Sequence, residues 1–221
     1  MQTTLSAKDI DKEIKKASSG DFVVYAYKQQ STLLRIAGNN GSELVVEEIS
    51  SPKPEIRKWQ EWLNEGAPGH SSWTVSRISL DNGTIKSVYN VDERAYVSAP
   101  ITFPFLPTLL TTPLTLIATP ERKRIGAEPL PGEMDFRPLW LPKIIFEGKE
   151  IKVAVEAFRL VWPRDESELS GKTLELYFPV HEAITYLPYW IEMNAGLNKI
   201  KIGVIDSGKG LSSPLLSLYD L

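Results

Sequence analysis

Cysteine is absent from the 221 residues, and histidine occurs only at His70 and His181. The first absence excludes structural disulfides, thiolate zinc sites, iron–sulfur clusters and cysteine nucleophiles. It leaves the compartment open, because a reducing cytosol permits it and an oxidising periplasm does not forbid it. His70 lies in Gly69-His70-Ser71-Ser72 and His181 in Pro179-Val180-His181-Glu182. Neither has a ligand-type residue three or four positions away, so both are expected to be ordinary loop histidines, and no metal site or cofactor is expected. A strong charge of either sign is also missing. Lys plus Arg number 25 against 28 Asp plus Glu, a net charge of −3. Nucleic acid is therefore not an expected partner, since phosphate neutralisation supplies most of that affinity. The one basic run, Arg122-Lys123-Arg124, reads as a solvated loop. No apolar h-region follows Met1. Two readings stay open: a cytoplasmic protein, or a periplasmic or cell-envelope protein whose sequence begins at the mature residue behind an added Met1.

Hydrophobic residues make up 42% of the sequence and charged residues 24%, the balance of a folded globular domain. A chain of this length buries a sizeable core without staples. With no internal repeat and no long linker, residues 1–221 read as a single domain. An amphipathic start is expected over 6–17, where Ile10 and Ile14 share a face before Ser18-Ser19-Gly20 stops the helix. Strand patterns follow at Phe22–Tyr27, 32–37 and 44–49, the last two flanking Gly38-Asn39-Asn40-Gly41. Residues 54–65 carry a helical stripe of Ile56, Trp59, Trp62 and Leu63, with the two tryptophans expected in the core. Residues 73–80 and 84–91 flank Asp81-Asn82-Gly83, where Asn-Gly tolerates the positive φ of a tight hairpin turn. Further strands are expected at 143–146, 152–161, 173–178, 189–193 and 199–205. Residues 164–171 read as a polar loop and the chain from Ser207 as an extended tail. Hairpins dominate over βαβ units, so the fold class is mainly β (α+β), a single curved antiparallel sheet or incomplete β-barrel with a few short helices.

Residues 99–119 carry no charge and four prolines, Pro100, Pro104, Pro107 and Pro113. The length matches a membrane span, but the prolines argue against an unbroken helix. One reading is plain core, two proline-bounded elements covering one face of the sheet. The other is a proline-rich apolar lid or insertion, extending through the irregular 121–142 stretch. On the second reading the ligand-lining candidates are Phe103, Phe105, Leu106, Leu109, Leu110, Leu114, Leu116 and Ile117, joined by Trp140 and Trp190. Each methylene buried there contributes about 0.8 kcal/mol.

Motifs with chemistry do not hold together. Asp206-Ser207-Gly208 after Val204-Ile205 is similar to the active turn of aspartic proteases. Too few residues follow it, and Lys209 is a poor neighbour, so a strand running into a turn is expected. Ser170-Gly171-Lys172-Thr173 matches the end of a P-loop, yet Glu166 stands where glycine is required and a strand pattern follows. No G-x-S-x-G elbow places a serine nucleophile. Glu47 and Glu48 are adjacent in a strand and point to opposite faces. No catalytic residue is expected, and the chain reads as not an enzyme.

The element order resembles that of LolA/LolB-like lipoprotein carriers. The helix around Ile10 and Ile14 precedes the strand Phe22–Tyr27, and Tyr186-Leu187-Pro188-Tyr189-Trp190-Ile191-Glu192-Met193 leads into the strand at 199–205. Arg35, in Leu33-Leu34-Arg35-Ile36, is the counterpart of that family's strand arginine, and 99–142 departs from its pattern. The resemblance implies a non-enzymatic, envelope-associated carrier or sensor for a lipid or lipidated protein. Its expected partners are a lipid or acyl chain, with peripheral membrane contact. The alternatives are a protein-interaction module and a hydrolase.

Overall fold

The computed structural model describes residues 10–52, 58–98, 105–167, 169–180, 186–195 and 198–215. Among these, three α-helices and thirteen strands follow one another. They are α1 (Ile10–Ile14), β1 (Phe22–Tyr27), β2 (Gln30–Asn39), β3 (Glu43–Pro52), α2 (Trp59–Asn64), β4 (Ser72–Ser79), β5 (Ile85–Asn90), β6 (Ala95–Val97), α3 (Phe105–Thr111), β7 (Thr115–Leu116), β8 (Ile144–Phe146), β9 (Lys149–Ile151), β10 (Ala154–Val161), β11 (Thr173–Val180), β12 (Trp190–Ala195) and β13 (Asn198–Gly208). Eleven strands form one antiparallel sheet in the order β6-β5-β4-β3-β2-β1-β13-β12-β11-β10-β7, and β8 and β9 form a separate hairpin. The sheet is not closed into a barrel, so the fold is mainly β as expected.

Two meanders make this sheet. The first, β1 to β6, runs outward from the N-terminal side, and the second, β10 to β13, runs inward from the C-terminal side. They join where Phe22 pairs with Gly208 and Ala26 with Gly203, with a bulge beside Val24 and Tyr25. Side chains alternate between the faces. The inner face carries Val23, Leu34, Val46, Ile78, Leu176, Ile191 and Val204 in the main core, together with Ile14 of α1 and Leu106 and Leu109 of α3. α3 bridges the two meanders. Phe105 stacks on Trp162 just beyond β10, and the other end crowds Gly83 in the β4–β5 turn, where a Cβ would meet Thr111 and the Pro107 carbonyl. Contact with both meanders requires a curved sheet.

The outer face of the first meander is covered by α2 and the C-terminal segment. Trp59, Trp62 and Leu63 pack with Val24, Leu33, Ile49, Trp73 and Leu211, so both helix tryptophans are core, as their spacing predicts. Beside them, buried Arg35 pairs with buried Glu47 at 3.1 Å. Arg35 also donates through Nε to the Leu211 carbonyl. Glu47 accepts from the Trp73 indole at 2.9 Å and from the Ser213 hydroxyl at 2.8 Å. Every polar atom brought in here has a partner, which is the condition under which a buried ion pair is tolerated.

Several expectations change. Residues 53–57 and 1–9 lie outside the described residues, so only the later parts of both expected helices are assessed. Asp206, Ser207 and Gly208 are strand, not turn or tail, because the β1 ladder continues through them. The first hairpin turns at 40–42 rather than across Gly38-Asn39. Asn40 Oδ1 accepts from the backbone of Ser42 and Glu43 and tightens the turn there.

Replacing Arg35 with Met leaves Glu47 charged and buried without its cation. Urea unfolding should show a loss of about 3–5 kcal/mol, with faster proteolysis after Leu211 because the segment's anchor is gone. An unchanged midpoint contradicts this account of the outer face.

Candidate functional site

The ten residues singled out in the sequence fall into two groups. Phe103 lies outside the described residues. Leu106, Leu109, Leu114 and Ile117 are buried in the main core, with Phe105, Leu110 and Leu116 packed against it. Leu116 pairs with Phe158 at the edge of the sheet, in the row that runs through Leu176, Ile191 and Ile202 on the inner face. Trp190 belongs to the opposite face. It pairs in register with Tyr177 and Gly203, and Gly203 is level with Ala26 on the outer side. Trp140 sits over it, with ring centroids 5.3 Å from both Trp190 and Tyr177.

Trp140 is held there by the stretch 122–142, which crosses the outer face of the second meander as a strap. Its two limbs pair. Trp140 N donates to the Lys123 carbonyl, Ile125 N to the Pro138 carbonyl, and Arg124 bridges to Leu139. Inside the loop Arg137 grips Asp135 with two bonds of 2.9 Å. That Arg137 bond, rather than burial, holds the Asp135 carboxyl down at about 2. The run Arg122-Lys123-Arg124 is therefore not a solvated loop. Arg122 and Arg124 are half-buried, and Lys123 Nζ stands 4.6 Å over the Trp140 ring and 3.5 Å from Glu192. Positions 122 and 124 turn inward where the strap meets the sheet, a contact that short-range charge pattern does not encode.

Between the strap and the sheet is an open groove of about 580 Å³. Trp140, Leu141, Pro142, Lys143 and Ile145 form one wall, and Ala26, Trp190, Lys201, Gly203, Val204 and Ile205 form the other. Gly203 gives the indole of Trp190 its seat, since a Cβ there would stand 3.0 Å from the ring. Glu192, buried behind Trp190, is pushed up by burial. The Lys199 hydrogen bond and the charges of Lys123 and Lys199 outweigh that and hold its carboxyl below the usual range. A volume of this size falls within the span of small-molecule sites, roughly 300–1,000 Å³. A second hollow of about 430 Å³ lies between α2, the β8–β9 turn and Asp206. Asp206 there accepts from the Trp59 indole and from Gly148 N, so its carboxylate is occupied in holding structure.

The described residues contain no group of three His, Cys, Asp or Glu side chains able to hold a metal ion, and no helix long and apolar enough to cross a membrane. His181 lies outside the described residues. His70 is more than an ordinary loop histidine. Its Nε2 is 2.7 Å from Asp92 and its Nδ1 2.8 Å from the Ala67 carbonyl, with the ring edge-on to Trp73. The Asp92 partner is 22 positions away and arrives through the β4–β5 hairpin, so local spacing could not reveal it. Glu47 and Glu48 do face opposite sides. On the inner side, burial raises the Glu48 carboxyl above its usual range.

Residues 32–152, just over half of the chain, match the family described as CT021 protein. None of the curated proteins matches the chain. Among solved structures, the hypothetical protein CT021 from Chlamydia trachomatis is similar, with a TM-score of 0.64 at 20% identity, covering 94% of this chain and 95% of that one. At that identity the likeness speaks to the fold.

Burial alone would lower the His70 pKa, but the hydrogen bonds to Asp92 and the Ala67 carbonyl, with the Asp92 charge, raise it above its usual value. The stabilisation from this pair is full below the unfolded value of about 6.5 and is lost as pH rises through the higher folded value. An NMR titration should place His70 above that unfolded value, and Asp92→Asn should bring it down. A His70 that titrates at the unfolded value, or is unmoved by Asp92→Asn, contradicts the pairing.

Proposed function

The chain belongs to the CT021 protein family, and from its open sheet and tryptophan-lined groove we propose that it is a non-enzymatic binding protein for a lipid or a lipidated protein, acting as a carrier or sensor at the cell envelope. The observation that carries this reading is the groove of about 580 Å³ lined by Trp140 and Trp190. Its walls are largely apolar, its floor includes a glycine, and a lysine stands on each wall. This is the mix of aromatic body and few polar groups that small-ligand sites present. The resemblance to LolA/LolB-like carriers supports the same reading, through a leading helix, an open antiparallel sheet and short helices. The site differs from the expected one. The described members of the 103–117 set pack as core, so the ligand is assigned to the outer side, to Trp140 and Trp190.

One observation favours the second reading, a protein-interaction module. The strap exposes Leu130 at 69%, Met134 at 75% and Phe136 at 82%, on a loop fixed from within by Arg137 and Asp135. Large apolar side chains exposed along one loop are the kind of surface a protein partner covers.

Displacement of the neutral dye Nile red by straight-chain alcohols tests the groove. Apparent affinity should rise about fourfold per added methylene, the equivalent of about 0.8 kcal/mol, until the groove is full. Trp140→Ala should weaken binding at least tenfold. Unsaturable dye uptake, or affinity independent of chain length, contradicts a lipid site. Concentration-dependent association abolished by Phe136→Ser would then favour the interaction module.

A further inference from the structure

The inner face of the first meander changes character along its strands. Toward α1 and α3 it carries Ile36, Leu44, Val46 and Ile78 in the main core. Toward the other end the same face turns polar. One row runs through Tyr25, Thr32, Ser50 and Ser72, and the next through Leu34, Glu48, Thr74 and Asn90. Ser76 follows on β4, opposite Val46. Polar side chains drawn into the concave side of a sheet cost free energy unless each finds a partner.

Some of them do. The Thr32 and Ser50 hydroxyls are 3.0 Å apart, the Tyr25 hydroxyl donates to the Pro188 carbonyl, and Asn90 Oδ1 accepts from the Asp92 and Glu93 amides. The side chains of Glu48, Thr74 and Ser76 do not. All three are half-buried, and none has a hydrogen-bond or ion-pair partner among the described residues. Every other buried or half-buried carboxylate of the large sheet is engaged: Glu43 with Lys86, Glu47 with Arg35, Glu175 with Arg159, Glu192 with Lys199 and Asp206 with Trp59. Nor are the three sealed. The partnerless polar atoms shut off from solvent among the described residues belong to Arg122, Arg124, Trp190 and Glu192, so the Glu48, Thr74 and Ser76 oxygens are reached from outside. Glu48 and Thr74 stand directly opposite, with Ser76 diagonal to Glu48. Such Cβ atoms are about 5 Å and about 7 Å apart, and on the concave side of a sheet the side chains converge. The register neighbours of Glu48 on this face, opposite and diagonal, carry no charge. The patch therefore offers one carboxylate and two hydroxyl oxygens with no cation of the chain to answer them. A primary ammonium, with three donors and no acceptor, is the complementary group.

We propose that the inner face of β3 and β4 holds a second binding site, for the primary ammonium group of a small amine or of a lysine side chain. The Glu48 carboxylate is its counter-ion, and the Thr74 and Ser76 hydroxyls accept its remaining hydrogen bonds. The site lies on the opposite face of the sheet from the groove and stands independently of what the groove holds.

NMR titration with butylammonium, butyltrimethylammonium and 1-butanol tests it, since the three share a chain and differ in the donors and charge of the head. Butylammonium should shift the Glu48 and Thr74 resonances saturably, with a dissociation constant at least tenfold below those of the other two. Adding Nα-acetyl-lysinamide distinguishes the sources: tighter binding than butylammonium points to a lysine side chain, weaker binding to a small amine. Burial raises the Glu48 carboxyl above its usual range. Tyr25, the other titratable group turned to this patch, stays protonated there because burial raises its hydroxyl as well. Amine binding should therefore weaken as pH falls through the Glu48 titration, and saturating amine should move that titration down. Glu48→Gln should abolish the saturable shifts, yet unfold at a urea midpoint no lower than wild type, because it removes a charge that nothing in the chain balances. Equal binding of all three probes, no saturable shift, or binding indifferent to the Glu48 titration overturns the proposal. A lowered midpoint in Glu48→Gln, or its failure to fold, also overturns it, by showing that Glu48 serves the fold.

Discussion

Two meanders built from opposite ends of the chain become one sheet where β1 pairs with β13, and that seam sets where everything else lies. It brings Phe22 against Gly208, a closure that local sequence preference does little to help and that carries the entropy of a long loop. Three tyrosines reinforce it, two from the turn before β12 and one from β1. Tyr186 donates to Asp21 at 2.6 Å, Tyr189 to Ser207, and Tyr25 in β1 donates back to the Pro188 carbonyl at 3.1 Å. Ser207 in turn donates to the Ile145 carbonyl at 2.7 Å, tying the β8–β9 hairpin to the seam. The groove is a consequence. Its sheet wall is the seam itself, with Ala26 from β1 and Gly203 to Ile205 from β13, and its other wall is the chain leading into that hairpin.

The two faces of the sheet are used differently. On the inner face the proline-broken segment becomes α3 and β7 and fills the curve as core, which is where apolar runs most often go. On the outer face the first meander is sealed by α2 and the Arg35–Glu47 network. The second meander is crossed only by the irregular strap. A strap held by its own Arg137–Asp135 pair keeps its shape without lying flush along its whole length. That leaves room beside Trp140 and Trp190.

Most of the architecture was legible because it follows from local rules. Alternation and β-branching marked the strands, Asn82-Gly83 marked a hairpin, and the Trp59–Trp62–Leu63 stripe marked a buried helix face. The pairing of β1 with β13 was not legible, since no short-range pattern names a partner some 180 residues away. The candidate site was half legible. Composition groups Trp140 and Trp190 with 103–117, whereas register puts Trp190, with Trp140 over it, on the other face. A charge run states nothing about what lies across it, so the half-burial of Arg122 has no signal in the sequence. The Asp92 partner of His70 comes from the far side of a hairpin, beyond the reach of local spacing.

On the proposed function, an apolar chain lies in the groove against Trp140 and Trp190. Fluorescence quenching by 9,10-dibromostearate reads this directly, because bromine quenches only indoles it touches, and the other four tryptophans, Trp59, Trp62, Trp73 and Trp162, are all buried in core away from the groove. Saturable, partial quenching that disappears in the Trp140→Phe, Trp190→Phe double variant is the predicted result. Quenching that persists undiminished in that variant, or none at all in the wild-type protein, would contradict it.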